Sequence, residues 1–463
     1  MSWLPGSETI RSLAAVTFAP MPSFLDLRGR WTREDREILR LAVPALAALV
    51  AEPLYILADT AVVGRLGTPQ LGGLAVASSL LLIGYSVFIF LAYGTTATVA
   101  RLLGAQELRR AAHHAVQSLW LATLIGILLA GVGWALRHDL ISLLGGEDDV
   151  AGHAEVYFRI SLLGVPAMLI TLAGVGYLRG LQDTRRPLYV ALGTAGLNLV
   201  VELVLIFGFD QGIGASALST VIAQWVGAGV FVTWIRNAVK AHGVDLRPDL
   251  RVITGVARDG VDLFIRTAAL RGSLIVTLAV AARIGTADLA AHQIAFEIWN
   301  LLALTLDSVA IAAQAMIGMT LGSGDAARAR ALGRRMIQWG FWCGVGLGAI
   351  VGLLSPVLGH IFSEDAAVVS LTAFLLIHVA VQQPVAGVVF ALDGILIGAG
   401  NLRFLAVTMW IAAVVLVAGA LAVLATGAGI GWLWLCLSAW LTSRAVMLLA
   451  RFRTPKWQVT GTL

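Results

Sequence analysis

The sequence predicts an all-α integral membrane protein with twelve transmembrane helices in two six-helix bundles. Three observations predict this fold class. Hydrophobic residues make up 59% of the 463 residues and charged residues only 13%, whereas a soluble domain carries about 25% charged residues. The apolar residues fall into stretches long enough to cross ~30 Å of hydrocarbon. The third observation is that the chain repeats itself.

The repeat is an internal duplication with an offset of 218 residues. The segment 65–71 (RLGTPQL) matches the segment 283–289 (RIGTADL). Single residues match at the same offset in four further pairs: Gly104 and Gly322, Pro166 and Pro384, Gly180 and Gly398, Arg185 and Arg403. The offset holds without a gap over about 120 residues, and internal duplication of a mostly apolar chain is typical of secondary transporters.

Twelve predicted spans follow from the apolar stretches. They lie near residues 37–63, 72–100, 115–136, 156–178, 188–208, 214–235, 263–282, 289–319, 337–360, 368–398, 404–425 and 430–450. Each copy of the repeat holds six spans, and an even number brings both copies into the membrane in the same orientation. The repeat is therefore parallel, with a pseudo-two-fold axis along the membrane normal.

Loop charges predict the orientation of these spans. Lys and Arg concentrate before span 1 and after spans 2, 4, 6 and 8, as at Arg109, Arg185 and Lys240. The alternate loops are poor in basic residues and contain acidic ones such as Glu147 and Asp365. The positive-inside rule then places both termini in the cytoplasm. We expect a multi-pass protein of the cytoplasmic (inner) membrane.

The predicted organisation has five parts. Residues 1–34 lack the basic and apolar regions of a signal peptide. We expect them to form a cytoplasmic tail that is partly disordered. The first lobe, with spans 1 to 6, covers residues 35–236. A cytoplasmic linker at 237–258 connects it to the second lobe, spans 7 to 12, at 259–452. A cytoplasmic tail at 453–463 ends the chain.

Composition and motifs argue against several classes of function. The net charge of +5 comes from arginines in short loops rather than from one basic face, so nucleic acid is not an expected partner. Both cysteines, Cys343 and Cys436, lie in apolar spans without metal-ligand spacing. The chain has no DDxxD, HExxH or GxSxG motif and no P-loop, so neither an enzyme nor a cofactor is expected. The segment LLGAQELRRA at 102–111 lacks the loop signature of major-facilitator carriers.

Polar residues inside the spans are the candidate functional residues, because a charged side chain at a helix centre costs at least ~2.5–3.5 kcal/mol. Span 1 carries Glu52, Tyr55 and Asp59, and their spacing of three and four places them on one helix face. The same span contains Pro44 and Pro53, which interrupt its hydrogen-bond ladder and predict a hinge.

Depth in the membrane brings some of these residues together. Span 5 carries Asn198 and Glu202 one turn apart, and span 6 carries Thr220 and Gln224 one turn apart. At 1.5 Å per residue, Asp59, Glu202 and Thr220 all lie roughly 8–10 Å below the outer surface. Such hard-oxygen ligands could hold Na⁺, or two acids could share a proton. The alternative is a buried polar network that only fixes helix packing.

The second half carries a different set of polar residues. They are Arg266 in span 7, Glu297, Asn300 and Asp307 in span 8, and Asp393 in span 10. Either an Arg–Asp contact or a role in substrate binding or gating would explain them. The counterparts of Asp59, Asn198, Glu202 and Thr220 in this half are Thr277, Leu416, Ala420 and Ser438. Cation coupling is therefore expected in the first half alone.

Five segments also carry a family resemblance. They are LADTAVVGRLGTPQLGGLAVA at 57–77, GYLRGLQDTRRP at 176–187, LNLVVELVLIFGF at 197–209, GASALSTVIAQW at 214–225 and ALDGILIGAGNLRF at 391–404. In this order and at these spacings they resemble the multidrug and toxic compound extrusion (MATE) family, specifically its DNA-damage-inducible (DinF) branch. The resemblance covers roughly residues 35–455.

The resemblance implies two six-helix bundles around a central cavity and a cation-coupled exporter. It matches the family's functional positions to Asp59 and Pro44 in span 1, Asn198 and Glu202 in span 5, Thr220 in span 6, Asp307 in span 8 and Asp393 in span 10. The family's acid in span 5 is often Asp. The longer Glu202 of this chain suits a proton better than Na⁺.

We therefore expect an antiporter that uses H⁺, with Na⁺ at Asp59, Asn198, Glu202 and Thr220 as the alternative. The expected substrate is an organic cation or amphipath, carried by a monomer in contact with lipid. Substrate binding or gating is predicted for Glu52, Tyr55, Gln224, Arg266, Glu297, Asn300, Asp307 and Asp393. The alternative function is a flippase for lipid-linked intermediates, which needs a strongly cationic cavity and would have only Arg266 and Arg271 to form it.

Overall fold

The computed structural model describes residues 32–145 and 148–462, and these residues form helices and no strand. The predicted N-terminal tail, 1–34, therefore lies almost entirely outside the described residues. The α-helices are α1 (Arg33–Val63), α2 (Thr68–Ser86), α3 (Phe90–Gly104), α4 (Leu108–Ala135), α5 (Arg137–Leu143), α6 (Asp148–Ser161), α7 (Val165–Gly180), α8 (Arg185–Leu203), α9 (Ile213–His242), α10 (Leu250–Ile284), α11 (Thr286–Gly322), α12 (Ala326–Phe362), α13 (Ala366–Gly398), α14 (Leu402–Thr426) and α15 (Ile430–Arg453).

Eleven helical segments in the described ranges are long and apolar enough to cross a membrane. They are α1, α4, α6 together with α7, and each helix from α8 to α15. The predicted second span, 72–100, falls on α2 and α3, which follow each other across the 3₁₀ turn Val87–Ile89, as α6 and α7 do across Leu162–Gly164. The two pieces have 19 and 15 residues, and each is shorter than the ~20 residues that a helical span needs.

Helix packing repeats between the two halves. In the first half α1 packs along α8, α4 along α7 and α8 along α9. In the second half the equivalent helices pack in the same way: α10 along α14, α12 along α13 and α14 along α15. This correspondence is what an internal duplication predicts.

The two halves meet closely at one end of the molecule. This end holds the start of α1 and the end of α15, and it is named the terminal end below. Here α3 of the first half packs against α11 of the second half. Residues 306–322 of α11 are nearly all buried, whereas residues 286–305 are mostly half-buried or exposed. The contact between the halves is therefore tightest toward the terminal end.

An ion pair joins the halves at this end. Arg335 of α12 donates to both carboxylate oxygens of Asp35, at 2.7 and 2.8 Å. The indole Nε1 of Trp339 donates to the same carboxylate at 2.7 Å. Asp35 also forms a capping box with Thr32 at the start of α1 and is only 1% exposed. The start of the first half is thereby fixed to the second half.

Arg101 of α3 makes a second connection between the halves. Its guanidinium group donates to the carbonyl oxygens of Ala399 at 2.8 Å, Gly461 at 2.9 Å and Gly398 at 3.4 Å. The N–H of Gly461 in turn donates to the carbonyl oxygen of Leu321 at 2.9 Å. The C-terminal tail predicted at 453–463 is therefore anchored in the boundary between the halves.

The predicted linker, 237–258, is mostly helical. Helix α9 continues to His242 and α10 begins at Leu250, so only residues 243–249 connect them. A charged stretch can remain helical beyond a membrane because the helix pairs its own backbone groups. Gln117 of α4 holds the connection through the carbonyl of Arg247 and the N–H of Asp249, at 3.1 and 2.9 Å. Hydrogen bonds from the backbone N–H groups of α10 lower the pKa of the Asp249 carboxyl.

Candidate functional site

The structure brings the two acids of the first half together. Asp59 of α1 and Glu202 of α8 are both buried, and their carboxyl groups lie side by side. Ser216 of α9 donates its hydroxyl hydrogen to Asp59 Oδ1 at 2.7 Å. Ser216 lies one turn before Thr220 on the same helix face, and this i, i+4 spacing could have identified it from the sequence.

Both oxygens of Glu202 lack a hydrogen-bond partner among the described residues, although the side chain is 0% exposed. Two ionised carboxylates have no proton to donate to each other. A shared proton, or a cation between them, would satisfy these oxygens. The side-chain oxygen of Asn198 is also buried and without a partner in the described part of the chain.

A layer of hydroxyl and amide groups lies next to the acid pair. Tyr55 Oη and Thr220 Oγ1 are 2.8 Å apart, and Asn198 Nδ2 donates to Thr220 Oγ1 at 2.9 Å. Asn198 also lies within 3.3 Å of Ser219 Oγ and 3.4 Å of Tyr55 Oη. Tyr157 of α6, which the sequence did not single out, is buried beside Asp59. The predicted residues Asp59, Asn198, Glu202 and Thr220 thus form one site.

A cavity of about 250 Å³ lies on the other side of this layer, between α1, α7, α8 and α9. Its polar lining consists of Glu52, Tyr55, Thr171, Thr194, Asn198, Thr220 and Gln224, and the rest is mainly apolar. Asp59 and Glu202 are not among the described residues that line it. The hydroxyl and amide layer therefore separates the cavity from the acid pair.

The predicted hinge residues lie within one continuous helix. Helix α1 runs from Arg33 to Val63 and includes both Pro44 and Pro53. Pro53 directly follows the cavity residue Glu52 and precedes Tyr55 by two positions. Bending at either proline stays a prediction.

The polar residues of the second half form a separate charged cluster. Asp393 Oδ2 accepts hydrogen bonds from Arg266 at 2.6 Å and from Arg444 at 2.5 Å. Tyr93 of the first half donates its hydroxyl to Asp307, with both carboxylate oxygens at 3.4 Å. The sequence interpretation missed Arg444, because an arginine near the end of the last span resembles a loop residue.

The remaining predicted residues of the second half stand apart from this cluster. The side chains of Glu297 and Asn300 make no hydrogen bond or ion pair with any described residue. Glu297 is exposed and Asn300 is half-buried. Their predicted role in substrate binding or gating has no support from contacts.

Comparisons with known proteins relate both halves of the chain to one family. The MatE family model matches residues 44–204 and 264–421, one segment in each half. DETOXIFICATION 43 of Arabidopsis thaliana is 29% identical, over 97% of this chain and 97% of that protein. DNA damage-inducible protein F of Escherichia coli strain K12 is 28% identical, over 95% of this chain and 96% of its own length.

The fold has known counterparts as well. A crystal structure of MATE in the bent conformation superimposes with a TM-score of 0.84 over 91% of this chain and 95% of that chain, at 20% identity. The similarity extends over both halves, and the family model covers more than half of the residues. The family-model match in both halves, the relatives along nearly the whole chain and the helical membrane fold together identify the chain as a member of the MatE family of multidrug and toxin efflux transporters.

Proposed function

We propose that this protein is a cation-coupled antiporter that exports organic cations or amphipathic metabolites, with H⁺ as the preferred coupling ion. Family membership supports export, and one relative is named as a probable multidrug resistance protein. The observation that carries the coupling is the buried pair of Asp59 and Glu202 with its unpartnered oxygens. Ionisable groups at such depth in a membrane protein are retained for ion pathways and relays.

Coupling would work through the layer between the acids and the cavity. Asp59 and Tyr55 lie one turn apart on α1, so binding of a proton or Na⁺ at Asp59 acts on the helix that also lines the cavity. Tyr55 is bonded to Thr220, which belongs to a different helix. A change at the acids therefore alters the position of α1 relative to α9, and Pro44 and Pro53 allow α1 to bend.

Cation and substrate must then weaken each other's binding. This reciprocity is a thermodynamic requirement of any exchange mechanism. The polar lining of the cavity includes the carboxylate Glu52 and no Lys or Arg among its described residues. Such a cavity favours positively charged or neutral amphipathic substrates.

In this function the terminal end of the protein faces the cytoplasm. With α2 and α3 taken together as the second span there are twelve spans, and the positive-inside rule supports a cytoplasmic location for the terminal end. The contacts of Asp35 and Arg101 then close the cytoplasmic side. Alternating access requires that these contacts break when the protein takes up substrate from the cytoplasm.

The test is transport of ethidium in proteoliposomes with pH and Na⁺ gradients imposed separately. We expect a pH gradient alone to drive transport and Asp59→Asn to abolish it. Asp210→Asn is the matched control, because Asp210 is an exposed acid of the same half without a described partner. Export by Asp59→Asn at the wild-type rate would refute Asp59 as the coupling site. Transport driven by Na⁺ alone would overturn the preference for H⁺.

The alternative is a flippase for lipid-linked intermediates. A flippase must hold a pyrophosphate group, which needs several cationic side chains around the cavity. The lining of the first-half cavity offers one carboxylate and no described cation. Translocation of a fluorescent lipid pyrophosphate by the same proteoliposomes, without an ion gradient, would support the alternative.

A further inference from the structure

A groove of about 690 Å³ lies at the end of the first half that is opposite to the terminal end. It is bordered by the start of α2, by α6, by the chain that follows α8 and by the start of α9. Its mouth holds the exposed residues Phe209, Gln211 and Gly212, and its inner wall holds the buried residues Ile213 and Ala215. The groove therefore leads from the exposed surface into the interior of the first half.

The groove approaches the acid pair along two of these walls. On α9 the lining residue Ala215 directly precedes Ser216, whose hydroxyl donates to Asp59 at 2.7 Å. On the wall that follows α8 the lining residue Leu205 stands three positions after Glu202, and residues with this spacing lie on nearly the same side of a helix. The inner wall of the groove is thus formed by the residues next to the acid site.

Helix α6 forms a third wall of the same kind. Its lining residue Val156 directly precedes Tyr157, which is buried beside the acid pair. His153 is the one titratable side chain among the described residues that line the groove. The neighbouring Glu155 does not belong to this lining and forms an ion pair with Arg137 at 2.9 Å. A cation can therefore pass along the groove without meeting a carboxylate, a lysine or an arginine of the described lining.

The chain between Glu202 and the mouth of the groove contains a π-helical turn, Val204–Gly208. The N–H of Phe209 donates to the carbonyl oxygen of Val204, five positions before it, at 3.2 Å. Such turns are rare and occur frequently at functional sites. A return to α-helical pairing would rotate the groove wall relative to Glu202, which opens this side of the acid site without unfolding the helix.

The second half carries larger side chains at the equivalent positions of the α6 wall. With the 218-residue offset, Val156 corresponds to Phe374 and Ile160 corresponds to His378. The two rings lie 4.7 Å apart, edge to face. The wall with the smaller side chains thus belongs to the half that carries the acid pair, as expected of a passage that serves this pair.

We propose that this groove is the route by which the coupling cation reaches Asp59 and Glu202 from the outer side of the membrane. The inference rests on the proposed antiport and specifies its ion pathway. The groove and the substrate cavity share no described lining residue, and the hydroxyl and amide layer lies between the cavity and the acids. An ion on this route does not have to pass the substrate, so it can bind while the substrate still occupies the cavity.

The test places a charge at the mouth of the groove after the protein has folded. Gln211→Cys, in a background without Cys343 and Cys436, is purified and labelled with a methanethiosulfonate that carries either a trimethylammonium or a sulfonate group. Each form is reconstituted, and the initial rate of ethidium transport under a pH gradient is measured. We expect at least about tenfold slower transport with the trimethylammonium adduct than with the sulfonate adduct, because charge in a cleft changes the local cation concentration by this factor or more.

Leu143→Cys is the matched control, since Leu143 lies at the same end of the first half, is 78% exposed and is not among the described residues that line the groove. Its two adducts should transport at equal rates. Equilibrium binding of ethidium should be the same in all labelled forms, because the substrate cavity is separate from the groove. A merely structural effect of labelling would slow transport with either charge. Equal rates for the two adducts of Gln211→Cys would overturn the proposal.

Failure of this route differs from failure of the proposed antiport. If Asp59→Asn abolishes transport while both adducts of Gln211→Cys transport equally, the coupling site is retained and the groove is rejected as its entrance. If a pH gradient drives no transport by the unlabelled protein, or if Asp59→Asn exports at the wild-type rate, the coupling mechanism itself fails and the route fails with it.

Discussion

Gly104 and Gly322 occupy equivalent positions in the two repeats, and each lies against the backbone of the other's helix. A Cβ atom on Gly104 would overlap the carbonyl oxygen of Met319, and one on Gly322 would overlap that of Arg101. Each contacted residue stands three positions before the opposite glycine. The contact is therefore symmetric, and the pseudo-two-fold axis passes between α3 and α11.

Substitution of Gly322 should prevent closure at the terminal end. In Gly322→Val the new side chain meets backbone atoms of α3, which cannot move aside as a flexible side chain can. We expect the equilibrium to shift toward separated halves and transport to fall at least about tenfold. A cysteine at Ala100, which is buried in this contact, should become reactive toward a thiol reagent in a background without Cys343 and Cys436.

Gly131→Val provides the control for this experiment. Gly131 lies in α4, and an added Cβ there would meet nothing within 4 Å. Its variant should leave the cysteine at position 100 unreactive. Reactivity as low in Gly322→Val as in this control would contradict the steric role of the glycine contact.

Arg101→Gln should also weaken the contact between the halves at the terminal end, here by removing charged hydrogen bonds. The change removes a guanidinium that joins three backbone carbonyls of the second half. Because hydrogen bonds to charged groups contribute ~1.5–3 kcal/mol, we expect at least a tenfold shift toward the separated form. Labelling of the cysteine at position 100 again measures the shift.

Arg330→Gln is the control for the Arg101 experiment. Arg330 of α12 also bonds the C-terminal segment, through Arg453, Thr454 and Gln458, but all these contacts stay within the second half. If both variants raise labelling equally, general loosening of the C-terminal segment explains the effect, and Arg101 has no specific role between the halves.

The ion pair between Asp35 and Arg335 should show strong coupling. Arg335→Met leaves a carboxylate that is 1% exposed without its main partner, and breaking such a pair typically costs about 3–5 kcal/mol. We expect a clear loss of thermal stability in Arg335→Met and recovery of part of it in the double variant with Asp35→Asn. Additive effects in this double-mutant cycle would contradict the pairing.

The apolar spans and the proximity of Asp59 and Glu202 could be predicted from the sequence, because both depend on patterns that the membrane enforces. A span must be long and apolar, so α8 to α15 follow from hydropathy. Acids at one depth on neighbouring spans must find partners, so Asp59 and Glu202 follow from spacing and rise per residue. The hydroxyl of Ser216 carries no such penalty in a helix, so its i, i+4 spacing from Thr220 was the one sequence signal that pointed to it.

The contacts between the halves could not be read from the sequence. Arg101 and Asp35 stand near loop-like charged stretches, where a basic or acidic residue is normally solvated. Their burial depends on how two independently packed bundles meet.

Glu202→Gln tests whether the acid pair shares a proton. The amide keeps the size of the side chain but adds a fixed N–H donor beside Asp59. This donor stabilises the ionised form of the Asp59 carboxyl group. The Gln side chain therefore imitates a protonated Glu202. The site can then no longer alternate between states, so we expect transport driven by a pH gradient to fall at least about tenfold. Glu364→Gln, which changes an exposed acid without a described partner, should transport normally. If Glu202→Gln transports at the wild-type rate under a pH gradient, Asp59 couples alone and the second carboxyl group serves only to pack the helices.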